Sequence, residues 1–369
     1  MRNVGRRIWG PLAGAGLCGL VTGCVAADAP HHAIEYRPDA ALDRLQILAA
    51  EAPEAGLAID FELGEDRLYL LEPAGRVIIL RRAITGWVLD GEFGRSGGGP
   101  GEFLGAHGIA RAGNGLVLAE EKRLQFFTPA GELQTVNLLS LPGRVGWPPS
   151  AAARAGIFVH GRCYRVGYVT DTLKAILAWS ADTSSFEIIA EDVELTRDGS
   201  VGSAFGARQA LTTGPAELHL FGAGTTNCFW RIQDTGARPT AERSCPAVVQ
   251  VYRADPPPGV ERRLRARRQQ GDRLTWPSTL PPFVDRLIIG NDVVLLRPFS
   301  ADSVVIQLAS PRQLDLGVAP LNGFVGCKAT GCLWLLEDAQ VPRVIVLDAE
   351  RIAALIEQRA VTVIHRRPM

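Results

Sequence analysis

Apolar residues fall in short runs, four to eight long, bounded by Gly, Pro, Asn or Asp and rich in β-branched and aromatic side chains, the pattern of strands. One core recurs six times: Leu68-Tyr69-Leu70-Leu71, Leu116-Val117-Leu118-Ala119, Ile157-Phe158-Val159-His160, Leu218-His219-Leu220-Phe221, Val293-Val294-Leu295-Leu296 and Leu333-Trp334-Leu335-Leu336. Successive first positions lie 48, 41, 61, 75 and 40 residues apart. Turn signals precede most cores: Gly64-Glu65-Asp66, Gly113-Asn114-Gly115, Gly214-Pro215, Gly290-Asn291-Asp292 and Thr330-Gly331. Such residues supply the backbone conformations that tight hairpins need.

A second apolar run follows each core: Val77 to Leu80, Leu124 to Phe127, Ile176 to Trp179, Phe229 to Ile232, Val304 to Gln307 and Val344 to Leu347. A third is clearest at Thr128-Pro129-Ala130-Gly131-Glu132-Leu133, and a weaker run precedes the core, as in Leu57 to Leu63 or Gly108 to Ala112. That makes four strands per repeat. The cores are continuously apolar rather than alternating, as in strands covered on both faces. Repeated small sheets bury both faces by standing radially round an axis. The pattern therefore predicts an all-β, six-bladed β-propeller of four-stranded antiparallel blades; a pair of packed sheets does not explain the repeat. The ring needs closing, and Leu45 to Leu48 and Val361 to Ile364 are the strand candidates. We expect strands from both chain ends to share the last blade. Ala349 to Arg359 reads as a short helix with Ile352, Leu355 and Ile356 on one face.

Two segments break the repeat. Gly91 to Phe103, GEFGRSGGGPGEF, holds six glycines and a proline, five of the glycines between Phe93 and Phe103. This composition forms neither strand nor helix. It reads as a shaped link between two sheets, each Phe anchoring one end in a core, with Arg95 and Glu102 pairing or capping amides. A phosphate-binding reading lacks GxxxxGK[ST] and a following helix. The other segment, Arg253 to Pro282, accounts for the 75-residue step and carries Pro256-Pro257-Pro258, the arginine-rich Glu261 to Gln270, Trp276-Pro277 and Pro281-Pro282. Its middle reads as a short helix, either solvated over one face or forming an anion-binding lid.

The N-terminus reads as targeting sequence rather than fold. Arg2, Arg6 and Arg7 precede the apolar Ile8 to Val21, and then Val21-Thr22-Gly23-Cys24. This resembles a bacterial lipobox, with Cys24 as the lipidated residue. The expected organisation is a signal peptide at 1–24, a tether at 25–33 and one propeller domain at 34–369 with the 253–282 insertion. The protein is then extracytoplasmic and anchored to a bacterial membrane, on the periplasmic or cell-surface side; cleavage near Ala27 would instead leave it secreted. Such a compartment permits disulfides. Cys327 and Cys332 could staple a hairpin, Cys228 and Cys245 could tie neighbouring strands, and Cys163 is left as a buried small hydrophobe.

Composition narrows the partners. The chain has 39 basic and 39 acidic residues among 369, which argues against nucleic acid or a polybasic membrane surface as partner. Its 40 glycines and 24 prolines exceed the roughly 12% average for the two together, in keeping with many turns.

Gly94, Arg95, Gly97, Gly99, Pro100, Gly101, Glu102 and Phe103 form a pattern that resembles the GxGxGPGEF-type inter-blade motif of bacterial six-bladed β-propellers related to NHL repeats, many of them extracytoplasmic lipoproteins. "RLYLLE", "RVIIL" and "GIARAGNGLVLAEEKRLQFFTPAGEL" resemble the same family, and Trp276-Pro277 to Leu296 is similar to a later segment of it. The resemblance implies a link between the first and second blades and a binding or scaffold role. It brings no activity with it.

Candidate chemistry lies where innermost strands would meet the channel. Repeat register places Asp60, His107 and Asp285 at or near innermost strands, and His160, Arg162 and His219 on or beside second strands. A calcium-assisted, lactonase-like hydrolase or lyase would need converging oxygen ligands; Asp60, Asp285, Asn291 and Asn322 are available, without a spacing that marks a site. Channel side chains of this kind are more often simply solvated. There is no CxxC, HExxH or Ser/His/Asp triad signature. The expected function is a non-catalytic module, tethered by its N-terminal lipid, that binds a protein, peptide or glycan; the enzyme with calcium in the channel is the alternative.

Overall fold

The structure, a computed structural model, describes residues 34–36, 50–51, 57–140 except 85 and 121, the strands with short flanks between 157 and 251, residues 265 and 269, and the strands and helix between 285 and 365. The chain divides into Met1–His32 and the compact unit Ala33–Met369, which holds every described residue.

Two short strands outside the repeats, β1 (Ile34–Tyr36) and, late in the chain, β19 (Val249–Val251), pair in parallel. Five antiparallel sheets are each built from four consecutive strands. The first holds β3 (Asp60–Leu63), β4 (Arg67–Leu71), β5 (Val77–Ala83) and β6 (Gly86–Phe93). The second holds β7 (Gly108–Ala112), β8 (Gly115–Ala119), β9 (Arg123–Phe127) and β10 (Leu133–Leu138). The third holds β11 (Ile157–Val159), β12 (Arg162–Tyr168), β13 (Lys174–Ser180) and β14 (Ser185–Ala190). The fourth holds β15 (Gln209–Thr213), β16 (Glu217–Gly222), β17 (Phe229–Gln233) and β18 (Thr240–Ser244). The fifth holds β20 (Asp285–Ile289), β21 (Asp292–Pro298), β22 (Ser303–Leu308) and β23 (Leu314–Pro320). A composite sheet joins β24 (Phe324–Lys328), β25 (Gly331–Leu336) and β26 (Arg343–Asp348) to β2 (Ala50–Glu51), a strand from near the other end of the chain. The fold is an all-β propeller with four-stranded antiparallel blades.

Strand β4 shows how apolar runs produce this. Leu68 and Leu70 pack with Phe61, Leu333 and Val344, towards the composite sheet. Tyr69 and Leu71 point the other way, into a cluster with Ile109, Leu116 and Phe127 of the second blade. Successive side chains of a strand face opposite sides, so a strand between two neighbours is apolar throughout. The composite sheet is enclosed likewise: Cys332 and Trp334 pack on the fifth blade, Leu333 and Leu335 on the first. Leading strands lie against one another in succession, β3 on β7, β7 on β11, β11 on β15, β15 on β20, β20 on β24 and β24 on β3.

Two expectations need correction. Val361 to Ile364 is not a strand. It lies in helix α1 (Ala349–His365), which runs past the expected end at Arg359. Asp348 caps this helix by accepting the Arg351 N–H at 2.8 Å, and Ile352 is buried while Leu355 and Ile356 pack beside it on the core. The N-terminal strand of the composite sheet is Ala50–Glu51; the candidate Leu45 to Leu48 lies outside the described residues. Ile157–Val159 is the first strand of its blade rather than the second; β12, with its polar Arg162 and Arg165, takes the second place.

Candidate functional site

The glycine-rich link joins the first blade to the second, as expected, and its two ends meet. Phe93 and Phe103 pack edge to face with ring centres 6.2 Å apart, and both touch Phe127, at 4.8 and 5.7 Å. The two Phe residues therefore anchor one shared core rather than one each. Gly94, at φ +82°, tolerates this only because it lacks a side chain: a Cβ there would sit 2.1 Å from the Phe103 ring. Arg95 Nε donates to Glu102 Oε1 at 2.8 Å, and Glu102 Oε2 accepts the Gly99 N–H at 2.8 Å, so the pair does both things foreseen for it. The Gly99 amide, and then Arg95, hold the half-buried Glu102 carboxyl below the usual carboxylate range.

A second polar layer braces the link from the neighbouring hairpin. Glu120, buried at the end of β8, accepts hydrogen bonds from Arg123, from Gln125 Nε2 at 2.8 Å and from the Leu104 N–H at 2.6 Å. Arg123 donates to the carbonyls of Gly98 at 2.7 Å, Gly99 at 3.2 Å and Glu102 at 2.8 Å. Gln125 donates to the Glu102 carbonyl at 2.7 Å and accepts the Gly101 N–H at 2.9 Å. Buried polar groups are costly unless partnered. Here each bond also fixes a flexible backbone unit, so the link is an ordered strap. Expectations from sequence missed Glu120, Arg123 and Gln125. The readable signal was an acid ending one strand and an arginine opening the next, which also occurs as Glu72 and Arg76 in the first blade, 2.7 Å apart.

At the innermost strands, Asp60 and Asp285 sit where register predicted, but their carboxylates are occupied. Asp60 Oδ1 accepts the Phe61 N–H at 2.9 Å, and Oδ2 accepts the Ile109 N–H of the second blade, also at 2.9 Å. Asp285 Oδ1 accepts the Arg286 N–H at 2.7 Å, and Oδ2 the Cys327 N–H of the composite sheet at 2.9 Å. Each aspartate ties its blade to the next. Asp60 and Asp285 thus serve the framework, each bridging two neighbouring sheets. Among the described residues no group of three or more His, Cys, Asp or Glu stands ready to hold a metal ion. His107 directly precedes β7, its N–H donating to the Ala119 carbonyl at 2.9 Å. Asn322, Asn291 and His160 lie outside the described residues, as do Cys24, Cys228 and Cys245 and, apart from the helical positions Arg265 and Gln269, the 253–282 insertion.

Lys328, also missed, closes this region. Its Nζ lies 3.0 and 3.1 Å from the two oxygens of Asp60 and 3.8 Å from Glu62 Oε2, and it donates to the Ile109 carbonyl. One ammonium thus spans three successive sheets. Farther round, Arg162 Nη1 donates to Asp234 Oδ1 at 2.7 Å and the buried Tyr164 hydroxyl to Oδ2. Burial, and then Asp234, push the Tyr164 hydroxyl above its ordinary pKa and keep it neutral. Cys327 and Cys332 face each other across the β24–β25 hairpin and form a disulfide, as foreseen; Cys163 is buried.

No protein-family model matches this chain, and no curated protein sequence matches it significantly. Solved structures it is similar to include YCF48 bound to a D1 peptide, at 11% identity and a TM-score of 0.42, covering 83% of this chain and 98% of that one. Two others are the C-terminal WD40 domain of Sif2, at 13% identity, TM-score 0.36 and coverage of 85% and 86%, and the WD40 β-propeller domain of Doa1, at 8%, 0.38, 82% and 97%. Such distant likenesses carry no argument about activity, and the propeller assignment rests on the sheets themselves.

Proposed function

We infer that this protein is a membrane-tethered, extracytoplasmic propeller of six blades that binds or scaffolds a protein, peptide or glycan without catalysing a reaction. The observation that carries this reading is the employment of the channel carboxylates. Asp60 and Asp285, the acids best placed for chemistry, hold backbone N–H groups of adjacent blades, and a general base or metal ligand needs an oxygen free to reach substrate. The composite sheet, enclosed between fifth and first blades, supports the count of six and a closed ring. A ring braced strand to strand presents its loops on a rigid frame, the usual arrangement of binding surfaces. The lipobox-like Cys24, the balanced charge and the resemblance to NHL-related lipoproteins support the tether and the compartment.

Two measurements test this. Labelled fatty acid should enter the wild type and not Cys24→Ala; equal labelling removes the tether. For the role itself, the purified full chain is assayed on a panel of lactones with and without added calcium, and is crosslinked to its partner in native membranes. The expected result is one saturable crosslinked species and no turnover. Turnover abolished by Asp60→Asn or Asp285→Asn, with the melting curve unchanged, would establish the enzyme instead.

A further inference from the structure

Glu62 lies two residues beyond Asp60 on the same face of β3 and is buried. Its Oε2 is 3.8 Å from Lys328 Nζ, beyond hydrogen-bond reach, while Asp60 holds that ammonium at 3.0 Å. Two carboxylates therefore face one cation, and the nearer has taken it. The other groups around Glu62 do not supply a second buried positive charge. Arg111 of β7 gives it a backbone N–H, but its side chain lies on an exposed residue. Tyr69, directly opposite on β4, has its hydroxyl on the Pro129 carbonyl at 3.2 Å.

We propose that this seam is a proton-binding site: Glu62 is held as a neutral acid while Lys328 clasps Asp60 and Ile109, and release of that proton loosens the junction of composite sheet, first blade and second blade. A charged Glu62 would compete with Asp60 for Lys328. Drawing Nζ towards Glu62 takes it from the Ile109 carbonyl and weakens the only link that reaches from β24 across β3 to β7 among the described contacts. The electrostatics agree. Burial, above all, pushes the Glu62 carboxyl up from 4.5 to about 7; Lys328 opposes this, Asp60 reinforces it, and Arg111 opposes it more weakly. The folded value is raised, so the folded state binds more protons than the unfolded state between those two values. Its contribution to stability is complete below the unfolded value and is lost as pH rises through about 7. This is the reverse of a salt-bridged carboxylate.

The test compares thermal melts of the full chain and of Glu62→Gln, which keeps the shape of the neutral acid, at pH ~5.5 and ~8.5. In the wild type this group should lower the folded-to-unfolded ratio by on the order of 30-fold across that interval. That is a fall in Tm of about 3 °C relative to the variant, whose own pH dependence lacks this component. An equal pH dependence in both proteins overturns the proposal. Infrared difference spectra of the wild type over the same interval keep the idea testable if the variant does not fold. A protonated-carboxyl C=O band lost on alkalinisation is expected, because surface acids are already ionised at the lower pH. Absence of that band also overturns it.

Discussion

Replacing Glu120 by Ala tests whether the strap is held by charge and hydrogen bonds or merely follows the blades on either side. In the wild type this carboxylate is 3% exposed and accepts from Arg123, Gln125 and the Leu104 N–H. The Arg123 side chain is itself only 14% exposed. Glu120→Ala leaves a largely buried guanidinium without its counter-ion and the buried Gln125 amide with one acceptor fewer. Removing one partner of a buried pair costs about 3–5 kcal/mol, far more than the net worth of the pair. Unfolding entropy is near 2.1 cal/mol/K per residue, so a unit of roughly 340 residues loses 1 kcal/mol for each ~1.4 °C. The melting temperature should therefore fall by about 4–7 °C by calorimetry. The Gly101 and Leu104 amides, which the same network holds, should exchange faster with solvent. Arg95→Ala is the control, because Arg95 is 79% exposed and pairs with Glu102 at the surface. Such pairs contribute at most about 1 kcal/mol, a shift near 1 °C. A Glu120→Ala shift no larger than that of Arg95→Ala would refute the argument that Glu120 organises the strap.

Gly94→Ala and Gly101→Ala separate strain from collision. Both glycines have positive φ, but nothing lies within 4 Å of a Cβ on Gly101, whereas the Phe103 ring occupies that space at Gly94. Gly101→Ala should cost the conformational ~1–2 kcal/mol alone, and Gly94→Ala distinctly more in urea denaturation. Cys327→Ser opens a loop of sequence separation 5; loop-closure entropy for so short a ring gives about 2 kcal/mol, seen as a lower melting temperature that reductant reproduces in the wild type. Asp348→Ala removes both the helix cap and the partner of Arg82 at 3.3 Å. It should destabilise by about 0.5–2 kcal/mol and lower helical signal in far-ultraviolet circular dichroism. Tyr164→Phe deprives Asp234 of a buried donor, and should cost about 1–3 kcal/mol by equilibrium unfolding.

What could be read from the sequence depended on the range of the forces involved. Leu68-Tyr69-Leu70-Leu71 reveals a doubly covered strand, because burial on both faces is written in four consecutive residues. Local cues failed where a longer-range force won. Val361-Thr362-Val363-Ile364 is β-branched and reads as a strand by propensity, a preference that tertiary context readily overrides. It instead continues a helix started by the Asp348 cap and anchored by Ile352. Ile157-Phe158-Val159 was displaced by one strand because a short, strongly apolar run outshone the polar β12 beside it.

The candidate site was half legible for the same reason. Asp60 and Asp285 were found because register alone puts them at innermost strands. Their role was not found, because it depends on which backbone amide the next blade presents. Arg123 and Glu120 lie three residues apart and could have been read from the repeat, since Glu72 and Arg76 repeat the arrangement at four. Lys328 is a different case. It stands 268 residues from Asp60, and nothing in either neighbourhood marks a partner. The contact exists only because the composite sheet, with β2 from the N-terminal end as its fourth strand, brings β24 beside β3. Such a pair reports on the junction itself. Lys328→Met should therefore loosen the first and second blades together, whereas loss of a bond within one blade, such as Arg76 to Glu72, should leave that junction intact. Hydrogen exchange at the Ile109 and Phe61 amides distinguishes the two cases, and equal protection in Lys328→Met and wild type would show that the junction is held by its apolar core alone.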